Sequence, residues 1–167
     1  MKQKALIVSV KGTKLSKREE VLFSKEKPWG TILFKRNLKS IDQIKYLISQ
    51  IRKLTKNSKF PIMIDEEGSS VSRLQDIINH NFNANFFGNL FNHNNKICLS
   101  ILNHYINSIC IVLKDLGINI NTVPVLDVLR NNTTKIIGNR SFSKDKKIVK
   151  ELGTLAIRCL HSNKIFG

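Results

Sequence analysis

Phe60-Pro61-Ile62-Met63-Ile64 runs without interruption into Asp65-Glu66-Glu67-Gly68. Five apolar residues are too few for a helix and fit a buried strand. The acidic cluster then stands at that strand's C-terminal end. Working backwards, Ser40 has N-cap chemistry with Gln43 three residues on, the spacing that opens a helix. Ile41, Ile44, Leu47, Ile48, Ile51 and Leu54 fall on one face of it. Before that helix, Gly30-Thr31-Ile32-Leu33-Phe34 reads as another strand. Ser16-Lys17-Arg18-Glu19 has capping-box spacing, and Ala5 to Val10 reads as a first buried strand.

The same alternation continues downstream. A polar, Asn-rich stretch from Asn79 to Asn95 predicts a long loop holding a short helix. Ile97, Ile101, Leu102, Tyr105, Ile106, Ile109, Leu113 and Leu116 mark a longer helix, and Gly117 stands where a glycine C-cap belongs. Ile118 to Val128 contains a fourth strand. Ser143 precedes a helix with Ile148, Val149, Leu152, Leu155, Ala156, Cys159 and Leu160 inward. Ile165-Phe166-Gly167 reads as the first step of a fifth strand. The order is βα four times, an α/β class with parallel strands and right-handed crossovers. Periodicity leaves two architectures open, a doubly wound sheet and a closed barrel. The absence of a Gly-x-Gly-x-x-Gly after the first strand, and of a phosphate loop, counts against a nucleotide-binding sheet.

Both architectures bind ligands at the C-terminal ends of the strands. The polar residues falling there are Lys35-Arg36-Asn37, then Asp65-Glu66-Glu67 with Arg73. Asp127 follows at the end of Pro124-Val125-Leu126, and Arg140 lies in the loop after it. Two readings of Asp65-Glu66-Glu67 fit: a solvated turn that caps a helix, or a ligand site. A carboxylate placed directly after an apolar strand needs a partner, and Arg73 and Arg140 are candidates. Asp127 is equally open between a structural carboxylate and a ligand contact. His80, His93, His104 and His161 form no metal-binding spacing, so no metal or other cofactor is expected.

Composition narrows the class. With 167 residues and 41% apolar content the chain has enough material for one globular domain, read as residues 1–167. No uninterrupted apolar run approaches the roughly 18 residues of a membrane span. The apolar stretch from Ala5 to Val10 is too short for a signal-peptide core. Cys98, Cys110 and Cys159 are odd in number and lack a CxxC pair, which predicts packed thiols in a reducing compartment. A cytoplasmic location is expected. The net charge is +16, and residues 1–59 hold 16 basic against 4 acidic side chains. These lysines are scattered with few aromatics between them. Nucleic-acid binding is therefore the weaker reading, and neither nucleic acid nor membrane is an expected partner.

Four segments in fixed order carry a resemblance. Gly30-Thr-Ile-Leu-Phe-Lys-Arg-Asn37, Ile64-Asp-Glu-Glu-Gly68 with Arg73, Pro124-Val-Leu-Asp-Val128 and Ile137-Gly-Asn-Arg-Ser-Phe142 resemble glycoside hydrolase family 3. The likeness is strongest to its β-N-acetylhexosaminidase branch, cytoplasmic enzymes of peptidoglycan recycling, and it spans nearly the whole chain. It implies the N-terminal half of a (β/α)8 barrel. It implies that Asp65, Arg73 and Arg140 hold a terminal N-acetylglucosamine of a glycan, with Asp127 a further candidate from its strand-end position, and that the reaction retains configuration through a glycosyl-enzyme.

The family's nucleophile and acid/base lie on later strands, the latter near a Lys-His-Phe-Pro-Gly-His-Gly run absent from these 167 residues. Both catalytic groups are therefore expected beyond Gly167, and the chain is expected to be a truncated barrel that is inactive alone. Four βα units leave open sheet edges, so self-association or a complementing C-terminal fragment is the alternative expectation, with a non-catalytic sugar-binding half-barrel. Gly68-Ser69-Ser70 stands where the family has Gly-Gly-Arg, a departure close to the expected site.

Overall fold

The computed structural model describes residues 3–167. Strands β1 (Lys4–Ser9), β2 (Pro28–Leu33), β3 (Ile62–Ile64) and β4 (Ile120–Asn121) alternate with helices. Helix α1 (Lys17–Val21) runs into a π-turn at Leu22–Glu26 and leads to β2. Helix α2 (Ile41–Thr55) leads to β3. Helices α3 (Ala84–His93) and α4 (Asn95–Leu116) lead to β4, and α5 (Lys146–Ser162) follows. The sheet is parallel with strands in the order β1-β2-β3-β4. A doubly wound sheet reverses its order at a switch point, whereas a barrel adds each strand beside the last. The unbroken order resolves the two architectures in favour of barrel topology. Phe166 continues it: its N–H donates to Asn119 O at 3.0 Å, and its carbonyl accepts the Asn121 N–H at 2.8 Å.

Register fixes the faces. Thr31 and Leu33 align with Ile62 and Ile64, and these four are buried. Leu33, Ile62 and Ile64 meet Ile44, Leu47, Ile48 and Ile51 of α2 and Cys110, Leu113 and Leu116 of α4 in the main core. The opposite face carries Ile7, Gly30, Ile32, Met63 and Ile120 in successive register. A second core joins Phe87 of α3, Cys98 and Leu102 of α4, and Ile148, Val149 and Leu152 of α5 around Phe142.

The helix ends follow their chemistry. Ser16 and Glu19 form the reciprocal capping box, Ser40 accepts the Gln43 N–H, and Gly117 closes α4 at φ 86°. Asp145, not Ser143, caps α5; Ser143 Oγ accepts the Asp145 N–H one step earlier.

Several expectations need correction. β1 is not buried: Leu6 is 55% and Ile7 48% exposed, and the first buried residue is Val10, after the strand. The strand pairs with β2 alone among the described residues, so apolar content reported a strand but not its surroundings. Ile41, Ile97 and Ile101 point outward rather than into the core. The fourth strand lies within Ile118 to Val128 as expected and is two residues long. α4 is long and apolar enough to cross a membrane, although no uninterrupted apolar run is. Its inner face, from Cys98 to Leu116, is buried against the sheet and α5, as in a core helix. All three cysteines are reduced and buried.

Candidate functional site at the strand ends

Because β3 ends at Ile64, the next three residues emerge together at the rim, and strand alternation sends their side chains different ways. Asp65 Oδ2 accepts from Arg73 Nη2 at 3.2 Å, and its Oδ1 accepts from Thr122 Oγ1 at 2.7 Å. Thr122 is the first residue after β4, so this carboxylate bridges two strand ends. The pair is partly open to solvent, with Asp65 21% and Arg73 29% exposed. The Arg73 guanidinium also lies 5.8 Å from the Phe34 ring, whose other cationic neighbour, Arg36, is at 4.7 Å. Arg73 Nε is buried without a hydrogen-bond partner among the described residues. A half-open carboxylate beside a guanidinium with spare donors can grip vicinal hydroxyls or an amide oxygen.

Arg140 does not join Asp65 directly. It sits in a short 3-10 turn, Gly138–Arg140, and closes on Glu67 with two bonds: Nε to Oε2 at 2.7 Å and Nη2 to Oε1 at 2.8 Å. Those bonds raise its pKa above the usual guanidinium value, followed by the charges of Glu67, Asp127 and Asp65. Those charges put Arg140 in the field of the same acidic rim. Asp127 is exposed, and its side chain makes no hydrogen bond among the described residues. Its carbonyl accepts the Ser141 hydroxyl. Of the four predicted residues, Asp65 and Arg73 touch, Arg140 stands beside them on Glu67, and Asp127 flanks Arg140.

Glu66 points the other way, into the helices, and its side chain is wholly buried. Its Oε2 accepts the main-chain N–H of both Arg73 and Leu74 at 2.8 Å. Its Oε1 meets His80 Nε2 at 2.8 Å, and His80 Nδ1 meets the Tyr105 hydroxyl at 3.0 Å. Burial, and then the Glu66 charge, push the Tyr105 phenol well above its ordinary value, so it stays protonated. Asn121 clasps the Glu66 main chain, accepting its N–H at 2.9 Å and donating to its carbonyl at 3.1 Å. A cavity of about 60 Å³ behind Glu66 and Arg140 is lined by Phe87, Leu102 and Tyr105. It has room for a few waters and not for a sugar ring. The candidate site is the partly open rim, where the Asp65 carboxylate and an Arg73 guanidinium with an unpartnered Nε meet.

Glu66, Glu67, His80, Tyr105, Asn121 and Thr122 were not singled out individually by sequence reasoning. Their partners lie up to 73 residues away, and no local pattern announces such pairings. Lys35 and Arg36 turn to structural tasks, the first pairing with Asp76 at 3.6 Å and the second donating to Val10 O at 3.2 Å. Asn37 is buried and donates to Val10 O and Gly12 O, both at 2.9 Å.

Comparison with known proteins gives the same frame. The family model for the glycosyl hydrolase family 3 N-terminal domain matches residues 2–167. A beta-hexosaminidase of Xanthomonas euvesicatoria pv. vesicatoria (strain 85-10) is 28% identical over 156 residues, covering 93% of this chain and 46% of its own. One from Stenotrophomonas maltophilia (strain K279a) is 27% identical over 157 residues, with 94% and 46% covered. The chain thus spans about half the length of the curated relatives it matches. Native NagZ from Neisseria gonorrhoeae superposes with a TM-score of 0.88 at 24% identity, over 96% of this chain and 47% of that one. A glycoside hydrolase family 3 beta-N-acetylglucosaminidase from Paenibacillus sp. str. FPU-7 gives 0.85 at 26% identity, over 95% and 30%.

Proposed function

The chain belongs to glycosyl hydrolase family 3, and from that premise we propose that its strand-end rim holds the terminal N-acetylglucosamine of a glycan for a β-N-acetylhexosaminidase reaction. The observation that carries the reading is the Asp65–Arg73 pair, tied to Thr122 across two strand ends and partly open to solvent. Asp65 accepts from sugar hydroxyls, and Arg73 donates to hydroxyl or acetamide oxygens. Arg140, held by Glu67, supplies a second guanidinium at the rim, and Asp127 adds charge beside it.

The reaction itself is a retaining hydrolysis whose nucleophile and acid/base come from outside these 167 residues. Peptidoglycan fragments are the substrate class, and the cytoplasm is the compartment, a placement that three reduced cysteines support. In the test, N-acetylglucosamine is titrated into the chain and followed by NMR. Saturable binding lost in Asp65→Asn and in Arg73→Met supports the reading. Affinity unchanged in both variants overturns it. Turnover of an aryl N-acetyl-β-glucosaminide by the 167 residues alone would overturn the assignment of catalysis elsewhere.

The exposure of β1 favours a second reading. Leu6 and Ile7 lie on opposite faces of this strand, and each is about half exposed. We propose that this strand pairs with a second copy or with a complementing fragment of the same fold. Light scattering at several concentrations tests it: a monodisperse monomer throughout, unchanged by added fragment, rules the pairing out.

A further inference from the structure

We infer that Glu66 is a positioning residue for the sugar-holding Arg73, acting through the main chain rather than by touching the ligand. The inference deepens the proposed function and rests on it. Asp65 and Arg73 are eight residues apart, and the segment between them includes exposed Ser69 and Ser70. A guanidinium on such a loop has many places to go. Two bonds close the loop into a ring. The Arg73 guanidinium reaches the Asp65 carboxylate, and the Arg73 N–H is taken by the Glu66 carboxylate. The same Glu66 oxygen also takes the Leu74 N–H, and Leu74 is fully buried. Arg73 is thus pinned between a main-chain anchor behind it and its carboxylate partner in front.

The anchor is itself fixed on every side. His80 occupies the second Glu66 oxygen, Tyr105 of α4 occupies the far nitrogen of His80, and Asn121 of β4 holds the Glu66 main chain from both ends. His80 and Tyr105 also pack ring against ring, with centroids 5.7 Å apart. The Glu66 and His80 side chains are 0% and 9% exposed. The combined effect of these bonds is to present Arg73 in one place to whatever Asp65 binds, which is the requirement of a pre-organised site.

The chemistry predicts which replacements work. A carboxamide oxygen at position 66 still accepts both N–H groups, and its NH2 donates to His80 Nε2, with the imidazole taking the other tautomer toward Tyr105. Glu66→Gln therefore keeps the ring closed. Glu66→Ala leaves two buried N–H groups and one imidazole nitrogen without partners. Binding of N-acetylglucosamine to the chain and amide exchange at Arg73 and Leu74 are measured by NMR, where each variant is fully folded. Glu66→Ala is expected to lose about tenfold in affinity, the scale of one charge-assisted hydrogen bond, together with protection at both amides. Glu66→Gln stays within about threefold of wild type on both readouts. Leu47→Ala, a core deletion on α2, loses stability while keeping wild-type affinity, which separates positioning from general destabilisation.

Wild-type affinity in Glu66→Ala overturns the inference, and so does an equal loss in Leu47→Ala. Where Glu66→Ala fails to fold, Glu66→Asp, one methylene shorter, reads the same contact. A threefold or greater weakening supports the inference, and wild-type affinity overturns it. If the wild type binds no N-acetylglucosamine, the sugar reading falls. The anchoring of Arg73 is then judged on exchange alone: lost protection in Glu66→Ala supports it, and unchanged protection overturns it.

Discussion

Arg140 and Glu67 are joined by two parallel hydrogen bonds of 2.7 and 2.8 Å across 73 residues of sequence. Glu67 is only 11% exposed, so removing its partner leaves a poorly solvated carboxylate. Arg140→Met is expected to cost about 2–3 kcal/mol, measured by urea denaturation. Arg140→Lys should recover part of this, since an ammonium cannot reproduce the fork. A cost below about 0.5 kcal/mol would show the pair to behave as an exposed surface bridge.

Asn121 is buried and satisfies both main-chain groups of Glu66. Asn121→Ala is expected to destabilise by about 2–4 kcal/mol by orphaning them. Asn121→Asp should be at least as harmful, because an acceptor then faces the Glu66 carbonyl. Chemical denaturation of the two variants side by side checks the order.

Gly88 lies on α3 where a Cβ would come within 1.7 Å of the Phe142 carbonyl oxygen, whereas a Cβ at Gly12 meets nothing within 4 Å. Gly88→Ala should lower stability by about 3 kcal/mol or block folding, because the obstacle is main chain and cannot swing aside. Gly12→Ala should stay within about 0.5 kcal/mol of wild type. Equal melting temperatures for the two variants would contradict the packing of α3 on the loop before α5.

Burial pushes the thiols of Cys98 and Cys110 up from 9.0 to about 11 each, with Glu151 adding to the first and Cys159 to the second. Raised thiols favour the folded state fully below pH 9. That contribution is lost as the pH climbs through 11, because the unfolded chain ionises first. Stability should therefore fall over that interval, and less steeply in a Cys98→Ala, Cys110→Ala variant. Reaction with a thiol reagent at pH 8 should be slow in the native protein and fast in urea.

The fold was legible where periodicity carried it. The α2 pattern from Ser40 to Leu54 and the Gly117 cap gave those helices their true ends. The Ile62–Ile64 run placed Asp65 at the rim. Ser143 marked the approach to α5, and Asp145, two residues on, supplies the capping oxygen. β1 misled because apolar content is silent on which neighbours a strand has. Within the site, position offered Asp65 two partners, Arg73 and Arg140; the structure gives it Arg73 and gives Arg140 to Glu67. The Glu66–His80–Tyr105 line could not be read from position, since a His and a Tyr 25 residues apart meet only after α4 has folded back on the sheet.

One composition feature acquires a use. The chain's many asparagines look like a bias of its coding sequence, yet several act as imitation peptide units. A carboxamide has the same donor and acceptor as a backbone amide. Asn121 gives Glu66 the two bonds a further rung of ladder would give. Asn119 does likewise at the other end of β4, accepting the Ile62 N–H at 2.7 Å and donating to Phe60 O at 3.2 Å. A two-residue strand is thereby spliced into a longer seam with side-chain stitches. Unlike backbone, those stitches can be altered one at a time by mutation, so the seam beneath the strand-end rim is heritable and tunable residue by residue.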